Sequence, residues 1–252
     1  MTLTDIIMYM AIAGGIWTAM VYFLWQKSKN ILITFLQSFS GALFIFSGWV
    51  KAIDPLGTAY KMEQYFAEFK VTFSQTSLSS LADIFPVMAE YAIVFAVIMI
   101  VFEIVLGIML LFGIYHKITS WSFFLLILFF TFLTGFTYLT GYVPEGVNFF
   151  SFSQWGDYVE TNMKVTDCGC FGDFIKLKPK VSFLKDIFLL VPAILFIVFN
   201  KSLFTLFTPV TRNSILAISL AGFTFYSFSN FVWDLPHTDF RPFKIGNNIR
   251  EM

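Results

Sequence analysis

An all-α integral membrane protein is the fold class this sequence predicts, on three observations. The composition is too apolar for a water-soluble domain: 58% of residues are hydrophobic, 20% aromatic and only 13% charged, with a mean hydropathy of +0.77. Six apolar runs recur along the chain, each of a length that crosses a hydrocarbon core of ~30 Å. The polar and turn-forming residues gather in the connections between them. Sixteen basic residues balance sixteen acidic ones and no long basic run is present, so nothing points to nucleic acid as a partner.

The first run, residues 3–25, lacks a basic start and a small-residue cleavage site, which makes it a retained anchor helix within a segment 1–30. The second, 31–50, is closed by Trp49 and Lys51 and then by Asp54-Pro55, where proline stops the helix. Residues 54–83 are polar and mixed. Within them Met62, Tyr65, Phe66 and Phe69 follow helical spacing, giving either a short amphipathic helix on the membrane surface or a helix packed on neighbouring loops. The third, fourth and fifth runs cover residues 85–111, 118–142 and 181–199, and the sixth covers 215–233. Spans two to five form a core over residues 31–200, with outer loops 54–83 and 143–180; 211–233 adds one further helix and 234–252 a polar outer tail. No internal repeat divides this membrane domain. Trp25, Trp49, Trp121 and Trp233 stand at helix ends, as an interfacial belt requires.

The longest polar connection, 143–180, carries both cysteines within Thr166-Asp167-Cys168-Gly169-Cys170-Phe171-Gly172-Asp173. Connections of that length are functional or disordered. Gly169 permits the sharp reversal that a bridge across one residue demands. Such a small ring is strained, and strained exposed disulfides are oxidising and labile, so a redox centre is the leading reading. Three others stay open: a bridge that merely shapes the turn, a metal held with Asp167, Asp173 or His237, and two free thiols. Closed structural zinc sites take four Cys or His ligands, and no second pair is present. No metal is therefore expected. His116 and His237 are the only histidines, so no pair exists to hold a membrane haem either. Thiolate formation would be favoured by Lys164 or Lys176 and opposed by Asp167 and Asp173.

Two carboxylates fall inside the third run. Glu90, near its outer end, is expected to pair with Lys51 at the end of the second. Glu103 is deeper, and an ionisable group at that depth is either functional, for instance in proton handling, or interhelical glue to Gln37, Ser38 or Ser40. A small transporter working through Glu103 is weaker, because no second buried charge marks a path. Gly41, Gly48, Gly107 and Gly113 read as close-packing positions.

Topology rests on conflicting signals. With the cysteine loop outside, the inner connections hold Lys27, Lys29, Lys117, Lys201 and Arg212, fewer than the eleven basic residues left outside. Those inner loops, however, are short and free of acidic residues, and short loops are where the charge rule applies. A disulfide also persists only in an oxidising compartment. The expected location is thus the bacterial inner membrane, with both termini and the cysteine loop on the periplasmic side.

Three stretches resemble the DoxX/MauE-like membrane proteins. They are residues 46–55 (Phe46-Ser47-Gly48-Trp49-Val50-Lys51-Ala52-Ile53-Asp54-Pro55), residues 103–113 from Glu103 through Gly107 to Gly113, and Asp167-Cys168-Gly169-Cys170-Phe171-Gly172-Asp173 with Ser182-Phe183-Leu184-Lys185-Asp186. The Cys-Gly-Cys-Phe-Gly piece is similar to the redox-associated MauE-like branch. This resemblance implies a four-helix membrane core, linked in some members to quinone reduction and in others to disulfide formation in exported proteins. It makes Cys168 and Cys170 the expected redox pair, supported by Gly169, Phe171, Gly172, Asp167, Asp173, Glu103, Lys51 and Glu90. The expected function is that of a thiol–disulfide redox protein, exchanging electrons between a thioredoxin-like or other exported thiol protein and a quinone through the Cys-Gly-Cys pair. The alternative is a non-enzymatic scaffold or assembly subunit joined to other membrane subunits. Loops 54–83 and 143–180 are expected to share one face and shelter the cysteine turn, with Phe171 turned toward the membrane or that cap.

Overall fold

The computed structural model describes residues 2–77, 79–165, 169–172, 174–232 and 238. Cys168, Asp167, Asp173 and His237, all named above as candidates, lie outside the described residues. The described chain is helical, and its only β feature there is an isolated antiparallel bridge between Phe171 and Ile175.

Helix α1 (Leu3–Ala19), closed at its start by a reciprocal Thr2/Asp5 capping box, continues as a π-helical turn Met20–Leu24. There follow α2 (Ile31–Ile53), α3 (Pro55–Ser74), the short α4 (Ser79–Ala82) and α5 (Ile84–Glu90), then α6 (Ala92–Phe112), α7 (His116–Thr140), α8 (Pro179–Val198) and α9 (Pro209–Val232). Among the described residues, five segments are long and apolar enough to cross a bilayer: Leu3–Leu24, α2, α6, α7 and α8. The expected count of six spans goes beyond these five. Helix α9 is of matching length and packs along α6, but it opens on the polar run Thr211-Arg212-Asn213-Ser214.

The third span starts later than expected. Tyr91 leaves helical geometry at φ −102° and ψ 15°, so residues 84–90 form a separate short helix and the crossing begins at Ala92. Glu90 therefore belongs to α5, where it is exposed.

Helices α2, α6, α7 and α8 form the core, with α1 against α2. Helices α2 and α6 approach closely: a Cβ on Gly107 would lie 2.8 Å from the Gly41 carbonyl oxygen, and one on Gly48 would strike the Ile104 side chain at 2.5 Å. Only the missing side chains let these backbones touch, which is how membrane helices gain packing when lipid offers no hydrophobic contrast. One half of the core is filled by Leu106, Leu110, Phe123, Ile127 and Phe196, all buried. Gln37 and Ser120 find backbone partners there: the Gln37 amide donates to the Leu110 carbonyl at 2.8 Å, its oxygen accepts from the Phe204 amide at 3.2 Å, and Ser120 donates to the Phe196 carbonyl at 3.1 Å.

At the other end α3 is a full 20-residue helix laid across α6. Its Tyr65 and Phe69 are buried, Phe69 meets the ring of Phe136 on α7 at 5.0 Å, and the Tyr65 and Thr137 hydroxyls share a 2.7 Å hydrogen bond. The expected amphipathic face exists and packs onto the helical core. The loop after α7 is tied to the same cap, since the Asn148 amide donates to the Thr72 carbonyl at 2.8 Å, and Tyr158 stacks against Tyr138 and Tyr142. The two long polar segments thus share one face, as the sequence predicts.

Candidate functional site

The turn carrying Cys170 is built by two glycines in the left-handed region, Gly169 at φ +59° and Gly172 at φ +53°. Side chains other than hydrogen are disfavoured there. Gly172 N–H donates to the Gly169 carbonyl at 3.1 Å and Phe174 N–H to the Phe171 carbonyl at 3.2 Å, which closes the loop tightly. Ser47 of α2 anchors it by donating to the Cys170 carbonyl at 2.8 Å. Cys170 carries a free thiol and is half-buried. Phe171 is 1% exposed and sits in the core cluster beside Phe46 and Phe174. It turns into the bundle, correcting the expectation that it faces lipid or the cap; an aromatic ring next to a polar turn is better placed among apolar rings.

Beneath the turn lies a partly open pocket of about 80 Å³. Its walls include Ser47 and Lys51 of α2, Met99 and Glu103 of α6, Phe130 and Thr134 of α7 and Lys185 of α8, roofed by Lys61, Met62 and Tyr65 of α3 and by Gly169 and Cys170. Two ion pairs flank this space. Lys51 Nζ binds Glu103 Oε2, with side chains 7% and 3% exposed. Lys185 Nζ binds Asp186 Oδ1 at 2.5 Å, with side chains 14% and 0% exposed, and Thr134 donates to Asp186 Oδ2 at 3.0 Å. Each ammonium also lies near an aromatic ring, Lys51 at 5.4 Å from the Phe130 centroid and Lys185 at 5.9 Å from that of Phe171.

The Lys51–Glu103 pair corrects two expectations at once. Lys51 does not reach out to Glu90, because side chains on a helix lean toward its N-terminus. From the last turn of α2, that direction points down into the bundle, where Glu103 waits beside the Gly48–Ile104 contact. Glu103 in turn does not bind Gln37, Ser38 or Ser40; Gln37 is taken by Leu110 and Phe204, and Ser38 by the Thr34 carbonyl.

The Lys185–Asp186 pair corrects a third. Glu103 is not a lone buried charge, since Lys51, Lys185 and Asp186 join it. All four charges nevertheless stand at one end of the bundle, and the Leu106, Leu110, Phe123 and Phe196 layer closes the other, so they mark a site and not a path across. The signal for α8 was present in the sequence as adjacent ionisable residues within an apolar run, the pattern that marks intramembrane function.

Burial pushes the Cys170 thiol above its ordinary range, and Asp186 adds to that rise. Lys185, Lys51 and the Ser182 hydroxyl pull the other way. The cations acting on the Cys170 thiol are thus brought by α8 and α2. Lys164 instead faces Glu68, whose carboxyl burial raises and Lys164 lowers. No group of three potential metal ligands occurs among the described residues.

Residues 29–145 match the family model for methylamine utilisation protein MauE. No curated protein and no solved structure matches the chain. The matched stretch holds Lys51 and Glu103 but ends before the cysteine turn and α8.

Proposed function

We propose that this MauE-like membrane protein is a thiol–disulfide oxidoreductase in which Cys168 and Cys170 carry electrons from an exported thiol protein, thioredoxin-like or a substrate, to a quinone in the bilayer. The observation that supports it is the position of Cys170, a thiol held by its own turn over a partly open pocket flanked by two buried ammonium–carboxylate pairs.

In the oxidised state a partner thiolate attacks one sulfur of the Cys168–Cys170 disulfide. A mixed disulfide forms, and the partner's second thiolate displaces it. The partner leaves oxidised, and both cysteines are left as thiols. Reoxidation trades two S–H bonds for one S–S bond and sends two electrons and two protons to a quinone, which departs as quinol. Lys185 and Lys51 stabilise the developing Cys170 thiolate, because an uncompensated anion in that buried setting would be costly. To Glu103, a carboxylate lining the same space, we assign the departing proton. The quinone is written as a substrate at the rim: about 80 Å³ holds a few waters, whereas a benzene-sized ring needs ~150 Å³. Phe129, 44% exposed and lining the same space, marks that rim.

The cysteine end then faces the periplasm of a bacterial inner membrane, since Lys27, Lys29, Lys117 and Lys201 crowd the short loops of the opposite end. The test is quinone reduction by the purified protein with dithiothreitol as electron donor. Turnover that disappears in Cys168→Ala and in Cys170→Ala is expected. A pair that alkylates fully without reductant, in protein taken directly from cells, sinks the redox reading.

A scaffold role is favoured by one observation, the outward face of the segment Leu3–Leu24, whose Ile12, Ile16, Phe23 and Leu24 are exposed and free to meet another membrane subunit. Double cysteine substitution that abolishes assembly while leaving quinone reduction unchanged would select it.

A further inference from the structure

We propose that the groove between the start of α7 and the end of α8, at the end of the bundle away from Cys170, binds the phosphate headgroup of an anionic phospholipid. This site is independent of the redox reading.

The groove encloses about 520 Å³ and is lined by Lys117, Ser120 and Trp121 on one side and Val198, Asn200 and Lys201 on the other. A volume of that size falls in the range that holds a small polar ligand. Lys117 and Lys201 are exposed and, among the described residues, neither ammonium has a carboxylate partner. The floor is pre-organised: Asn200 donates to the Ser120 hydroxyl at 3.0 Å, and Ser120 donates to the Phe196 carbonyl. The strand of chain carrying Lys201 is itself pinned, because Lys29 Nζ donates to the Lys201 carbonyl at 2.7 Å. The groove's apolar rim points the same way, with Trp121, Val198 and Phe199 at 47%, 66% and 46% exposure. An indole beside an aliphatic strip is where an acyl chain leaves a headgroup and enters the hydrocarbon.

Charge decides what the headgroup is. Lys27, Lys29, Lys117, Lys201 and Arg212 lie in or beside the short connections at this end, and among the described residues no acidic residue does. A zwitterionic choline headgroup would bring its cation into that field; a phosphoglycerol headgroup brings only the anion. Basic pockets between helices at such an interface recognise anionic lipid in this manner.

Native mass spectrometry of the full chain in neutral detergent tests the assignment, with dioleoylphosphatidylglycerol, dioleoylphosphatidylcholine and inorganic phosphate as probes. Wild type is expected to retain the glycerol lipid at least fivefold more than the choline lipid. Lys117→Gln/Lys201→Gln should bring the two to parity, with its thermal transition recorded to show that it is folded. Lys27→Gln/Arg212→Gln removes the same charge outside the groove and should keep most of the preference. Equal retention of both lipids by wild type overturns the site. Equal losses in the two double variants also overturn it, as they would show a diffuse surface field. Displacement of the glycerol lipid by millimolar inorganic phosphate would assign the groove to a free anion and overturn the lipid assignment.

Discussion

The two halves of this bundle hold themselves together by opposite means. In the half bounded by Gln37, Leu110, Phe123 and Phe196, apolar side chains fill the interior and each polar group of Gln37 and Ser120 has a backbone partner. In the half under α3, two ion pairs of four ionisable side chains lie beside the Cys170 turn. Burying a charge pair rarely stabilises a fold more than well-packed apolar residues of the same volume would. The contrast therefore separates a half whose packing accounts for its stability from one whose buried charges packing alone does not account for.

The sharpest way to break that contrast is to remove one member of a pair. Lys51→Met leaves Glu103 buried without its cation, which should destabilise the fold by ~3–5 kcal/mol. Adding Glu103→Leu should restore most of the loss, measured by unfolding in mixed micelles; a double variant as unstable as the single would show that the pair is structural after all. Next comes Glu103→Gln, which keeps the shape and removes the proton acceptor. Quinone reduction should fall about 10²-fold with the protein folded and the cysteine pair still oxidisable. Normal turnover would return Glu103 to packing.

On the stability side, Gly107→Ala drives a Cβ to 2.8 Å from the Gly41 carbonyl and the Ile45 amide, both backbone atoms. It should cost ~1–3 kcal/mol through separation of α2 and α6, without altering thiol reactivity in what remains folded. The smallest effect concerns the thiol itself. Because Cys170 titrates above the ordinary range, its maleimide labelling should still be rising with pH beyond the normal cysteine midpoint. Lys185→Met removes a cation, moves that rise to higher pH, and should slow labelling at pH 8 about tenfold; Asp186→Asn removes an anion and should move it lower. Identical profiles for both would separate the α8 pair from Cys170.

Much of this was legible in the residues. Apolar length and proline at position 55 place α2 and α3, and Gly41, Gly48 and Gly107 declare a close helix contact because only small residues permit one. Glu103 announces itself by depth, and Gly169 and Gly172 by the turn they allow. Other features were not. The break at Tyr91 interrupts an apolar pattern without any strong breaker at that position, so Glu90 looked like part of the span. Lys51 looked like an interfacial residue, since a helix-end lysine ordinarily extends to water.

By itself, then, the sequence determined the membrane class, the helices and the cysteine turn, because these depend on local composition and on periodicity within one segment. What only the tertiary structure decided is which charges meet which. Lys51 to Glu103 spans 52 positions, Thr134 to Asp186 another 52, and Ser47 to Cys170 spans 123. Pairings across such separations depend on how four helices rotate against one another, and that rotation is set by glycine contacts and aromatic packing summed over the whole bundle, which no single stretch of chain encodes.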